Sequence, residues 1–351
     1  MNETIPTDEQ LPLPTLSIHS PAVAIIQQKL YESIKSRIHN IPSNFANNSN
    51  NAKAKIAVLF SGGLDCTILA RLCHDILPIH EPIDLLNVAF ENPRVAAAAK
   101  TKDSRKTNPG EAPGLLYEEC PDRKTGRAAY SELKRICAAR KWQFVAIDIP
   151  YSETLSQRDE IKRLMRPHNT EMDLSIACAL YFASRGWGTR SSDEESDSYY
   201  KTPARVLLSG LGADELFGGY SRHVVAFSRN GFGGLIDEVV LDVGRLGKRN
   251  LGRDDRVIAC WGREVRYPYL DEDFVAWVLR APVWEKCGFR LSSMGTQVDD
   301  DIEPGKRALR LVALRLGMCH VAREKKRAIQ FGSRTAKMEK GKTRGTDKID
   351  S

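Results

Sequence analysis

Ile56-Ala-Val-Leu-Phe60 followed by Ser61-Gly62-Gly63-Leu64-Asp65-Cys66-Thr67 is the stretch whose reading decides the fold. Its β-branched apolar run breaks at two glycines and resumes as Ile68-Leu-Ala-Arg-Leu72, which is the order strand, glycine turn, helix. A residue without Cβ takes positive φ and lets a ligand press on backbone N–H groups. A helix beginning near Asp65 aims the positive end of its dipole at the same place. An anion, phosphate above all, suits that turn. A buried strand ending in Gly-Gly is also an ordinary structural turn, and the stretch is neither a Walker loop, since no Lys follows the glycines, nor a G-x-G-x-x-G dinucleotide turn.

Outward from it the pattern repeats. Arg205-Val-Leu-Leu208 runs into Ser209-Gly-Leu-Gly-Ala-Asp-Glu215-Leu-Phe-Gly-Gly219-Tyr220, a second strand, glycine turn and acidic pair. Between the two units, Ile83–Phe90 and Trp142–Asp148 read as buried strands, and Gly126–Arg140, Ser152–Leu164 and Asp173–Arg185 as helices. Strand and helix alternate with no tight hairpin signal, which predicts an α/β fold with a doubly wound parallel sheet. Right-handed crossovers give these four strands the order 3-2-1-4 and set Ser61–Cys66 beside Ser209–Glu215 at the switch point. From Tyr220 onward the pattern is helical with no convincing strand.

The flanks are simpler. We read residues 1–54 as a disordered N-terminus, an amphipathic helix from Pro21 to Arg37 with Ile25, Leu30, Ile34 and Ile38 on one face, and a polar linker. Residues 55–337 form the domain, α/β over about 55–220 and helical over about 221–337, and 338–351 are a basic tail. Asn92–Leu115 reads as a surface insertion and Ser191–Ser198 as an acidic loop.

The 351 residues carry a net charge of +7, with Lys and Arg spread along the chain, so the balance reads as a solvated surface attractive to polyanions such as ATP rather than as a nucleic-acid face. The eight cysteines are scattered without C-x-x-C, which points to reduced thiols and a cytoplasmic setting; Cys120, Cys137 and Cys178 are read as small core residues before metal ligands. No apolar run approaches the ~20 residues of a membrane span.

The first turn resembles the S-G-G-x-D-S pyrophosphate loop of ATP-pyrophosphatase enzymes, which cleave ATP to AMP and pyrophosphate. Ser209–Tyr220 resembles the S-G-E-G-[SA]-D-E-x-F-G-G-Y loop of the asparagine synthetase family. Asp255-Arg256, Glu264-Val-Arg266-Tyr-Pro-Tyr-Leu-Asp271 and Lys306-Arg-Ala-Leu-Arg310 are similar to that family's later motifs and follow in its order. Within the family, Pro121-Asp-Arg-Lys-Thr-Gly-Arg127, Ser221-Arg-His223, Arg249–Arg256 and Ile329–Arg334 look most like the group called asparagine synthetase domain-containing proteins.

The resemblance implies an ATP-pyrophosphatase type of sheet and a set of site residues. Ser61, Gly62, Gly63, Cys66, Ser209 and Gly210 would bind the phosphates of ATP, and Leu59 and Val88 would hold adenine. Asp65 and Asp214 would share Mg²⁺, because two carboxylates facing a triphosphate repel it otherwise. Lys306 and Arg310, on one helical face, would reach the phosphates, so that Asp65, Asp214, Lys306 and Arg310 are the expected catalytic residues. Cys66 stands where the family carries Ser, and Thr67 beside it is a second hydroxyl for the phosphates.

The implied activity is asparagine biosynthesis by an ATP-dependent ligase: adenylation of aspartate, release of pyrophosphate, then amination by ammonia. Two departures weigh against full activity. Leu211 replaces the Glu of S-G-E-G, and Ala328 stands where a Lys precedes Phe331 by three residues, with Lys325, Lys326 and Arg327 close by. They favour, as an alternative, a regulatory ATP-binding homologue; an RNA-modifying pyrophosphatase is a third reading, suited to the positive charge. Asn2 stands where a glutaminase nucleophile Cys would follow Met1, so nitrogen is expected from free ammonia or a separate glutaminase subunit, unless the sequence is itself a truncated product.

Overall fold

The computed structural model describes residues 1–6, 13, 15–41, 53–95, 114–191, 198–290, 302–338 and 344–349. Strands β1 (Ile56–Leu59), β2 (Ile83–Phe90), β3 (Trp142–Ile149), β4 (Trp187–Ser191), β5 (Ser198–Lys201), β6 (Val206–Leu208) and β7 (Glu264–Arg266) form one mixed sheet in the order β5-β4-β3-β2-β1-β6-β7. Successive side chains of a strand leave opposite faces, so each central strand feeds two cores. Val58, Leu85, Phe144 and Leu208 join one, while Ala57, Leu86, Val145 and Leu207 join the other. That is why these strands are near-continuous apolar runs.

Around the sheet lie α1 (Pro21–Ile38), α2 (Leu64–Ile76), α3 (Gly114–Glu118), α4 (Pro121–Ile136), α5 (Tyr151–Met165), α6 (Glu171–Arg185), α7 (Ala213–Leu216), α8 (Ser221–Leu246), α9 (Gly252–Ala259), α10 (Glu272–Arg280), α11 (Arg307–Arg315), α12 (Cys319–Arg323) and α13 (Ile329–Gly332). Helices α1, α2, α4, α10 and α11 supply the first core, and α5, α6 and α9 the second, so both faces are covered. A third cluster joins Phe227, Leu235 and Val239 of α8 to Val283 and Phe289.

The expected order 3-2-1-4 is the run β3-β2-β1-β6, parallel throughout. Two expectations are corrected. An antiparallel hairpin, β4–β5, extends one edge, and β7 pairs parallel with β6 on the other, inside the half expected to lack strands. The hairpin is short and its Tyr199 is exposed, and β7 is only Glu-Val-Arg, so neither carries a periodic signal; backbone pairing with a formed neighbour makes them strands. The N-terminal stretch is also corrected: Asn2 N–H donates to the Leu279 carbonyl, and Leu16 is buried. In α1 the inward side chains are Val23, Ile26, Leu30 and Ile34, with Ile25 exposed, and the helix packs mainly on α2, α10 and α11, while Arg266 of β7 donates to its Arg37 carbonyl.

Residues 96–113 of the expected insertion, 192–197 of the acidic loop and most of the linker lie outside the described residues. Residues 344–349 pair back on the start of α6, where Met172 and Glu171 N–H donate to the carbonyls of Gly345 and Asp347. All eight cysteines are free, and Cys137 and Cys178 sit in different cores while the Cys120 thiol donates to Gly332 O, so they do not gather as metal ligands. No described helix is long and apolar enough to cross a membrane.

Lys286 is 1% exposed and gives Nζ to the Val278 carbonyl at 3.0 Å. Burial pulls its ammonium down to about 8, below the unfolded value, so the folded chain holds fewer protons than the unfolded one from about pH 8 to the ordinary lysine range. Stability from this group therefore rises across that window, and its cost is complete below pH 8. Lys286→Met should raise the thermal midpoint at pH 7, by about 2 kcal/mol of stability, with the gain shrinking by pH 10. A lower midpoint at pH 7 would show that the stem's packing outweighs the charge.

Candidate active site

Both glycine turns leave the same edge of the sheet because β1 and β6 are parallel neighbours. They abut closely: a Cβ added to Gly210 would lie 2.9 Å from Asp65 Cβ. A cleft of 860 Å³ opens over them, lined by Leu59, Ser61, Gly63, Asp65, Cys66, Val88, Ser209, Gly210, Asp214, Lys306 and Arg310. Gly62 has φ +79°, and a Cβ there would lie 2.4 Å from the Thr125 backbone. This glycine lets the turn press on the first helical turn of α4.

The cleft has a charged end. Lys306 Nζ donates to both Asp65 carboxylate oxygens, at 2.9 and 2.8 Å, and lies 2.9 Å from Asp214 Oδ1, while Lys326 Nζ donates to Asp214 Oδ2 at 2.6 Å. Lys306, the residue that precedes α11, is in the left-handed region at φ 57°, a conformation costly for a side chain and held here by its two anions. Burial raises both carboxyls, but at Asp214 the two lysines outweigh it and hold the group well below the usual range. At Asp65, burial and the Asp214 charge prevail over Lys306, and the carboxyl is raised. Burial lowers the Lys306 ammonium, and the carboxylates more than reverse that. Asp65 makes no cap for α2, so no side chain caps the first N–H groups of that helix, whose first-turn residues Asp65 and Cys66 line the cleft.

Other side chains stand apart from the phosphate role expected of them. The Arg310 guanidinium is buried and donates to the carbonyls of Gly305, Ala322 and Glu324 and to Glu303, so it fixes the segment that brings Lys326 into the cleft. Thr67 donates to the Gly63 carbonyl at 2.8 Å and is fully buried, so its hydroxyl is engaged inside the turn. The Cys66 thiol donates to the same carbonyl at 3.3 Å, and burial pushes it up. Leu211 lines the cleft with an apolar side chain.

Some features escaped the sequence. Arg222 and Lys326 both lie over the Tyr220 ring, 3.9 and 4.0 Å from its centre, and the Tyr220 hydroxyl donates to buried Glu215 at 2.6 Å. Asn87 gives Nδ2 to the carbonyls of Phe60 and Asp122 and accepts from fully buried Arg123 at 2.7 Å, tying β1, β2 and α4 together below the turn. The adjacent cations Lys325-Lys326-Arg327 were the signal for Lys326. Asn87 offered none, being a lone polar residue in a buried strand.

The charged end fits Mg²⁺ carried by a triphosphate. Asp214 Oδ1 is buried without a hydrogen bond among the described residues, although Lys306 lies in ion-pair range. Magnesium takes one or two carboxylates together with phosphate oxygens rather than a cage of protein ligands. Two carboxylates at the head of the turn match that pattern.

The sequence comparisons agree with this geometry. A family model described as asparagine synthase matches residues 233–345. Asparagine synthetase domain-containing protein 1 of Homo sapiens is 38% identical over 98% of this chain and 56% of its own length. The chain belongs to the asparagine synthetase family. A domain-containing relative from Saccharomyces cerevisiae is 35% identical over 95% of the chain and 57% of its own length. A putative glutamine-hydrolysing asparagine synthetase from Methanocaldococcus jannaschii is 47% identical over 22% of the chain and 15% of its own length. The chain thus spans about half the length of the curated relatives that it matches over most of its own.

Proposed function

We propose that this member of the asparagine synthetase family binds MgATP in a sheet of the ATP-pyrophosphatase type and adenylates the side-chain carboxylate of aspartate. The observation that carries the reading is the convergence of Asp65, Asp214, Lys306 and Lys326 on one glycine turn. An aspartate oxygen attacks the α-phosphorus, the bond to the β-phosphate oxygen breaks, and pyrophosphate leaves with the electron pair. Ammonia then attacks the acyl carbon, AMP departs, and the nitrogen loses a proton to give asparagine.

Nucleophile and triphosphate are both anions, so the residues must supply charge where they meet. Asp65 and Asp214 would hold Mg²⁺, which supplies positive charge against phosphate oxygens. Lys306 and Lys326 exchange carboxylate partners for phosphate oxygens when ATP enters, and the Ser61–Gly63 turn and the α2 N-terminus orient the leaving pyrophosphate. Aspartate-dependent exchange of labelled pyrophosphate into ATP tests the reading: exchange requiring both Mg²⁺ and aspartate supports it, and its absence with every amino acid returns the chain to the regulatory reading that Leu211 favours.

A further inference from the structure

The cleft has a second, apolar end, built from Leu59 and Val88 at the strand tips, Ile176 and Leu180 of α6, and Ile329 of α13. At its rim sits Asp122, in the first turn of α4, 6% exposed and with no hydrogen bond to its carboxylate among the described residues. Burial pushes this carboxyl up to about 7, Arg327 drawing it back only in part. Its position is fixed from two sides. Its carbonyl accepts from Asn87, the residue before Val88, at 2.9 Å, and Gly332 closes over it so tightly that an added Cβ would lie 1.9 Å from Oδ1. The carboxylate keeps a little exposure to the cleft and takes no donor from the described residues, so a donor on an entering ligand can reach it.

Building on the proposed binding of ATP, we infer that Asp122 is a specificity residue that accepts a hydrogen bond from the 6-amino group of adenine. Adenine's flat apolar faces suit the Leu59, Val88 and Ile329 walls, and its 6-amino group is the donor the base carries at its edge. At about pH 9, where the group is ionised and where the binding below is measured, a 6-oxo purine would set a carbonyl oxygen against the carboxylate. The repulsion and the lost bond make the site reject it, as sites built to pair with one polar group reject analogues lacking it.

The test is calorimetric binding, at about pH 9, of the magnesium complexes of ATP, inosine triphosphate, N6,N6-dimethyl-ATP and 2′-deoxy-ATP to the full chain. The unmodified protein should bind ATP at least about tenfold tighter than inosine triphosphate and the dimethyl analogue, and 2′-deoxy-ATP within a few-fold of ATP. Asp122→Asn, whose amide donates as well as accepts, should shrink the ATP-to-inosine ratio about tenfold. Equal binding of inosine triphosphate by the unmodified protein overturns the assignment without any variant. A ratio unmoved by Asp122→Asn in a folded sample, or one that moves only for the deoxy nucleotide, overturns it too. Failure of the unmodified protein to bind any nucleotide would instead defeat the reading on which this one rests.

Discussion

Asp214→Asn should lower aspartate-dependent pyrophosphate exchange by about 10²–10³-fold, the cost of removing one charge-stabilising group from a preorganised site. Asp65→Asn should do the same. Each variant removes one of two carboxylates that would hold the metal against the triphosphate. The two should differ in stability. Asp214 accepts a hydrogen bond from Lys326 and pairs with Lys306, whereas Asp65 serves Lys306 alone, so Asp214→Asn strands more positive charge and should lose more of the thermal midpoint. A sequence reading that gives these carboxylates only a metal to hold expects no change in the midpoint. Calorimetry that finds wild-type affinity for MgATP in both variants would remove the metal assignment altogether.

Leu211→Glu should raise asparagine output by about 10²-fold while changing pyrophosphate exchange little, because a positioned base contributes on that order to a proton transfer and adenylation needs none there. Leu211 lines the same cleft as Asp65 and Asp214, where an apolar side chain accepts no proton from attacking ammonia. The gain depends on a cation at the far wall, and Lys326 already stands there, bonded to Asp214 and packed on Tyr220. In the unmodified chain, exchange should therefore outrun amide formation. Rapid, stoichiometric asparagine synthesis by the unmodified protein would show that Glu215 or another carboxylate replaces the missing one.

The four central strands and both acidic glycine turns were legible because burial on two faces and a change from period two to a helical pattern leave plain marks in a sequence. The edge strands were not, since β7 has one buried residue and the sequence between β4 and β5 holds no short Asn-Gly or Asp-Gly signal. In the site, Asp65 and Asp214 were legible from the turns that carry them. The end point of Arg310 was not legible: helical spacing put it beside Lys306, but spacing is silent on where a long side chain ends, and this one ends among backbone carbonyls. Asp122 was visible as a motif letter only. Its meaning comes from Gly332, 210 positions away, and no local pattern carries such a distance.

The Lys306 contact with Asp65 spans 241 residues, and this has a bearing on how the protein is made. A ribosome releases the Asp65 turn and later the Asp214 turn while Lys306 is still uncopied. Until it appears, pairing β1 with β6 brings two carboxylates together without a counter-ion in a place that burial makes unfavourable to either charge. The nascent chain thus has its central strands before it has the cation that balances their two turns, and an interrupted product ending before Lys306 leaves both carboxylates without it. Synthesis has to run past Lys306, the residue before α11, before the paired carboxylates can meet their counter-ion.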